Sequence, residues 1–270
     1  MKNARIVVGI VFVVGMFLAY APLWAGATDD VAPCVVFLRQ DVPAGKKANN
    51  GSGFLINRDN KPFLVTACHV AESIGENFTL IMSGSGGQAV RDKLQGVKWR
   101  TSLTADVALI PLDMNNPEKI KQFLSRSISA DLITARQLPP SRDFSLIAMG
   151  YPLSLGTTGF VSPLSLETRA ASGFVSMERF DTKKTATFIL LQSPSTSGLS
   201  GGPVFDIGRS FFDGKNMNVR EGVSLVGLIH GVVYDKTGGK FAMVVPATEI
   251  AKLLDAALLP VQRRYSSNSL

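Results

Sequence analysis

Cysteine and histidine are scarce, with two of each in 270 residues. Cys34 and Cys68 fall short of the four ligands of a structural zinc site. One disulfide between them would need Cα atoms within about 7 Å. A pair of buried free thiols is the other reading, and spacing alone leaves both open. Basic residues outnumber acidic ones by 28 to 21, yet no run of four or more occurs. Scattered charge supports solubility and gives no footprint for nucleic acid. Only one apolar run approaches the length of a membrane span. Ile6 to Tyr20 follows Lys2 and Arg5 and precedes the small residues Ala25-Gly26-Ala27. That is the pattern of an export signal over residues 1–27, and the mature chain is expected to begin near Thr28. The run is short for a bilayer helix, so membrane contact is expected only through this segment, if it stays uncleaved. Losing Lys2 and Arg5 lowers the formal charge from +7 to +5.

The rest of the chain is dominated by short β-rich runs between Gly, Asn, Asp and Ser clusters. Cys34–Leu38, Gly53–Ile56, Pro62–Val65, Phe78–Met82 and Val107–Leu112 form a first series. Phe144–Met149, Gly173–Met177, Ala186–Gln192, Pro203–Asp206, Val223–Val233 and Lys240–Val245 form a second. Strands at this spacing make barrels or a sandwich. Between the series runs a polar stretch that opens with a helix-start signal, Asn115-Asn116-Pro117-Glu118, and closes on Pro139-Pro140-Ser141. Ala247–Leu259 has helical periodicity and should lay its apolar stripe on the second series.

Three segments carry chemistry. Ser197-Gly198-Leu199-Ser200-Gly201-Gly202-Pro203 places a serine in a glycine-flanked turn. There two main-chain N–H groups can converge on one point, the geometry of an oxyanion hole. Leu64-Val65-Thr66-Ala67-Cys68-His69 is an apolar run ending in a histidine, and Asp106 opens the run Val107-Ala108-Leu109-Ile110. Taken singly, each has a plainer role: a tight loop, a hydrogen-bonded histidine, a strand cap. Together they give the chain order His, Asp, Ser found in chymotrypsin-type barrels.

At these residues the chain resembles a trypsin-like serine protease, nearest the bacterial branch that holds the HtrA/Deg proteases and the glutamyl endopeptidases. Gly51-Ser52-Gly53-Phe54, Gly150-Tyr151-Pro152 and Ser172-Gly173-Phe174 are weaker echoes, and the likeness covers roughly residues 32 to 250. It implies an all-β fold of two antiparallel six-stranded β-barrels, chymotrypsin-like, with a C-terminal helix. The corresponding division is an N-terminal barrel over 28–125, a linker over 126–142, a C-terminal barrel over 143–246 and a helix with tail over 247–270. No room for a PDZ domain is expected after the helix.

The resemblance implies an exported endopeptidase acting on protein or peptide substrates, with no metal or organic cofactor. Ser200 would be the nucleophile, His69 the base and Asp106 its orienting acid, with the N–H groups of Gly198 and Ser200 holding the oxyanion. Leu199 departs from the zymogen-activated digestive enzymes, where an aspartate precedes the serine and pairs with a freed N-terminus. Leucine cannot make that ion pair, so the hole must be set by packing or by substrate. Pocket walls are expected from Ser193 to Thr196, including Ser195 and Thr196, and from His230, Gly231 and Val232. No aspartate lies among Gln192–Thr196, so a small or medium aliphatic P1 side chain is the default. His230 either faces the pocket and binds an acidic P1 group or is a strand histidine hydrogen-bonded near Asp106. Two rival functions stand beside the protease: a protease-like module that holds peptides without cutting them, and an esterase using the same triad.

Overall fold

The computed structural model describes residues 27–112, 116–133, 138–193, 195–208 and 222–259, with the backbone alone at 211–212 and 217–218. Residues 1–26, all but the last of the expected export signal over 1–27, and residues 260–270 lie outside the described residues.

The first unit is a sheet. Strands β1 (Val35–Gln40), β2 (Asn50–Arg58), β3 (Lys61–Thr66), β4 (Phe78–Ser83), β5 (Ala89–Leu94), β6 (Arg100–Thr101) and β7 (Ala108–Pro111) follow the path β5-β4-β1-β2-β3-β7-β6. An eighth strand, β8 (Ile128–Ser129), pairs parallel with β2 through Ile56 and Ile128. The unit therefore has eight strands where six were expected. The charged stretch around Lys93 splits into β5 and β6, and the segment after the helix Pro117–Leu124 returns to add β8. Asn116 starts that helix by accepting N–H bonds from Glu118 and Lys119. Phe123 then buries it. Both faces of the sheet are covered: Phe54, Ile56 and Leu109 on one and Leu38, Leu64, Phe78 and Leu80 on the other are all fully buried.

The second unit is the expected closed six-stranded barrel. Its order is β10-β11-β16-β15-β12-β9, with β9 (Ser145–Gly150), β10 (Leu164–Glu178), β11 (Thr185–Leu191), β12 (Pro203–Asp206), β15 (Ser224–Tyr234) and β16 (Lys240–Pro246). Two-residue strands β13 (Phe211–Phe212) and β14 (Met217–Asn218) pair with each other. The helix Ala247–Leu258 docks on β15 and β16 and also reaches β6 and β7 of the first unit. Arg100 donates to the Ala257 carbonyl at 2.9 Å, and Arg58 lies 3.2 Å from Asp255. The helix thus straps both units, beyond the single barrel its periodicity suggested. Among the described residues, no helix is long and apolar enough to cross a membrane.

Cys34 and Cys68 are free, buried thiols. Burial pushes the Cys34 thiol up. Cys68 is pushed up to about 12, first by burial and then by its hydrogen bond to Glu72. Only the thiolate alkylates readily. Both cysteines are therefore expected to resist iodoacetamide at pH 8 in the folded protein and to react after denaturation. Mass spectrometry reads this directly, and rapid native alkylation of either would contradict the burial.

Candidate active site

β3 ends at Thr66, and the chain turns at extended Ala67 into the short helix Cys68–Ile74. Val70, Ala71 and Ile74 bury one face of that helix, which leaves His69 partly exposed on the other. Asp106 sits in the turn before β7, fully buried. Ser102 shapes this turn by accepting from Ala105 N at 3.1 Å while its own amide donates to the Val107 carbonyl at 2.9 Å. The two functional groups meet. His69 N donates to Asp106 Oδ1 at 3.0 Å, and His69 Nδ1 lies 2.7 Å from Asp106 Oδ2.

A second imidazole completes the cluster. His230 Nδ1 hydrogen-bonds the same Oδ2. Its ring is fully buried, stacked on Phe180 at 4.2 Å and tilted on Phe188 at 5.1 Å. This is the strand-histidine arrangement, not the pocket arrangement, so the imidazole is not placed to meet an acidic P1 group. Burial would raise the Asp106 pKa, but the hydrogen bonds from His230 and His69 outweigh it and hold the carboxyl well below the usual range. An ionised carboxylate only accepts, so both Nδ1 atoms carry protons. Neutral His69 therefore has its lone pair on Nε2. Neutral His230 likewise has a bare Nε2, and that atom is buried without a hydrogen-bond partner among the described residues. A lone pair left in apolar surroundings costs less than a stranded N–H or a buried cation.

Ser200 occupies a loop tied to the first unit. Ser52 N donates to the Ser200 carbonyl at 2.9 Å. The buried Ser52 hydroxyl donates to the Gly198 carbonyl at 2.7 Å and accepts from Tyr151 N at 2.9 Å. Leu153 N holds the Ser197 carbonyl at 2.7 Å, and Leu199 N donates to Thr196 O at 3.0 Å. The amides of Gly198 and Ser200 are left without an acceptor among the described residues. Gly198 takes φ +91°, which keeps its main chain close to Tyr151 and Leu153. Leu199 is buried with Leu146, Ala148, Val204 and Ile229 in the core of the second unit. The Ser200 hydroxyl donates to the His230 carbonyl at 3.3 Å. Val70, the residue after His69, packs against Gly51, and the Ser200 carbonyl lies beside the same glycine.

Of the expected pocket residues, Ser195 and Thr196 lie in the loop before Ser200, and Gly231 and Val232 pair with Met243 and Ala242 on β16. Ala242 N donates to Ser193 O at 3.2 Å, which joins the two walls. Four residues went unassigned in the sequence. Ser52 lay within a quoted motif with no role attached. Arg179, Phe180 and Asp181 sit at the β10–β11 hairpin tip and carry no local signal. Arg179 Nη2 is 3.6 Å from Asp106 Oδ1, and Phe180 meets the His69 ring edge-on at 5.0 Å.

His69, Asp106 and His230 also form a set with the reach of metal ligands. Here the carboxylate oxygen accepts from two imidazoles, and a guanidinium stands beside it. The arrangement is one for sharing protons, and a cation would have to displace both N–H bonds.

No curated protein matches the chain in sequence. Among solved structures, the Rv3671c protease of M. tuberculosis in its active form is 20% identical with a TM-score of 0.54, the match covering 85% of this chain and 82% of that one. The MamO protease domain of Magnetospirillum magneticum is 15% identical with a TM-score of 0.56, covering 83% and 96%. The HtrA-type protease AlgW, solved with a tripeptide, is 15% identical with a TM-score of 0.54, covering 86% and 62%. At such identities the likeness speaks for the chymotrypsin-like fold. The family described as trypsin-like peptidase domain matches residues 51–210, more than half of the chain. With the two units and the glycine-flanked serine, this match makes the chain a member of the trypsin-like peptidase family, the serine endopeptidases.

Proposed function

We propose that the protein is an exported endopeptidase that hydrolyses peptide bonds through Ser200, His69 and Asp106 and a covalent acyl-enzyme. The observation that carries this reading is the ionised Asp106 bonded to His69 Nδ1–H, which leaves the base lone pair on Nε2. In the reaction the Ser200 hydroxyl rotates from the His230 carbonyl to Nε2. Oγ attacks the substrate carbonyl carbon as its proton passes to His69. The oxyanion is held by the Gly198 and Ser200 N–H groups, a contribution of roughly 3 to 4 kcal/mol per donor. His69 then protonates the leaving amine, the C–N bond breaks and an ester remains on Ser200. Water enters, gives its proton to Nε2 and attacks the ester carbon. The Ser200 alkoxide leaves and takes that proton back. Leu199 supports a hole set by packing, without a freed N-terminus. Walls without acid from Ser195, Thr196, Gly231 and Val232 favour a small or medium aliphatic P1 group. Export rests on the Lys2-to-Ala27 pattern.

A fluorophosphonate probe tests the chemistry on the full chain. It is expected to label the folded protein once, at Ser200 by peptide mapping. A folded protein that takes no label would favour the non-catalytic peptide-holding module. Label with ester turnover but no peptide cleavage would favour the esterase.

A further inference from the structure

The tip of the β10–β11 hairpin lies over the Asp106 carboxylate and has no part in the steps above. Arg179 is 2% exposed. Its Nε donates to Asp181 Oδ1 at 3.0 Å and its Nη2 to Asp181 Oδ2 at 2.6 Å. The same Nη2 faces Asp106 Oδ1 at 3.6 Å. The main chain fixes this placement, with Arg179 N donating to the Lys184 carbonyl at 2.9 Å and Lys183 N to the Arg179 carbonyl at 3.0 Å. Phe180 lies between the two charged residues and covers the His230 ring. It fits because residue 231 is glycine; a Cβ there would stand 2.7 Å from Phe180 Cε1.

Three elements bring groups to bear on Asp106. The helix Cys68–Ile74 supplies His69, Cys68 and, beyond its thiol, Glu72. β15 supplies His230. The hairpin supplies Arg179 and, through it, Asp181. Cys68 carries no charge at neutral pH, and Glu72 is solvent-exposed and screened. Buried Arg179 and half-buried Asp181 are the charges the hairpin brings to bear on Asp106.

We propose that the Arg179–Asp181 ion pair is a positioning unit for the Asp106–His69 couple, its positive end turned to Asp106 and its negative end cancelling the excess. The inference rests on the triad reading given above. It makes the two partners act with opposite sign, which a purely structural role would not do. Without the guanidinium, Asp181 and Asp106 together favour the imidazolium of His69. Without the Asp181 charge, the guanidinium stands uncompensated and disfavours it.

The test is the rate of fluorophosphonate labelling of Ser200 against pH, whose acid limb follows loss of the neutral base. Arg179→Met is expected to move that limb up by about 0.5 to 1 pH unit, and Asp181→Asn to move it down by about as much. Arg179→Lys should restore the wild-type limb, and Lys183→Met, an exposed charge of the same hairpin, should leave it in place. If Arg179→Met fails to fold by near-ultraviolet circular dichroism, Asp181→Asn and Arg179→Lys decide. Limbs that stay put, or that move the same way in both partners, overturn the proposal while leaving the triad intact. A wild type that takes no label at any pH overturns the triad, and this inference with it.

Discussion

Ser200→Ala is expected to lower kcat for peptide hydrolysis by about 10⁶-fold, and Asp106→Asn by about 10⁴-fold. Alanine at 200 removes the attacking atom, so what remains is the hole and substrate positioning. The asparagine is instructive because of the donors around residue 106. Oδ2 accepts from two imidazoles, and Oδ1 faces the His69 amide and the Arg179 guanidinium. An amide has one oxygen and one NH₂. Either orientation sets a donor against donors, and the cheapest relief is to move the His69 proton to Nε2. The base then points a proton, not a lone pair, at Ser200. A joint Ser200→Ala/Asp106→Asn variant should be no slower than Ser200→Ala alone, since the residues act as one unit. Steady-state kinetics on a peptide chosen from a library read all three. Asp106→Asn keeping more than a tenth of wild-type kcat would remove Asp106 from the proposed role.

Gly201→Ala is expected to cost about 3 to 5 kcal/mol of stability and to lower the melting midpoint by roughly 10 °C. Gly201 has φ +82°, a region where a side chain is strained. A Cβ there would also collide with the Ser52 carbonyl oxygen and Thr66 Oγ1, two fixed atoms of the first unit. Neither can yield cheaply, because Thr66 Oγ1 donates to that same Ser52 carbonyl at 2.7 Å. The alanine would therefore push apart the two units where the Ser200 loop docks, and labelling by fluorophosphonate should fall with stability. Calorimetry showing a change under 1 kcal/mol would mean that the loop does not dock as described.

Much of this site could be read along the chain because its signals are local. An apolar run ends just before His69, another begins just after Asp106, and glycines bracket Ser200. β12 matches its sequence run residue for residue, and the second unit closes with the six strands expected. Leu199, which cannot make an ion pair, is buried in the second core. Other features had no local signal. The helix bearing His69 has seven residues, too few for a period to show. The first half of β10, Leu164 to Ala171, alternates polar and apolar residues at a partly exposed surface and lacks the apolar density of a core strand.

The linear order of residues settled which side chains could do chemistry, since nucleophile, base and turn glycines are properties of composition and neighbours. Only the folded chain decided where His230 and Arg179 point. The β15–β16 register shifts between Ile229 and Gly231, and such an irregularity resets which face a strand residue occupies. Arg179 reaches Asp106 through a hairpin whose closeness to β7 comes from the joining of two separate β units. Long-range contact of that kind depends on register and packing, quantities no window of sequence contains.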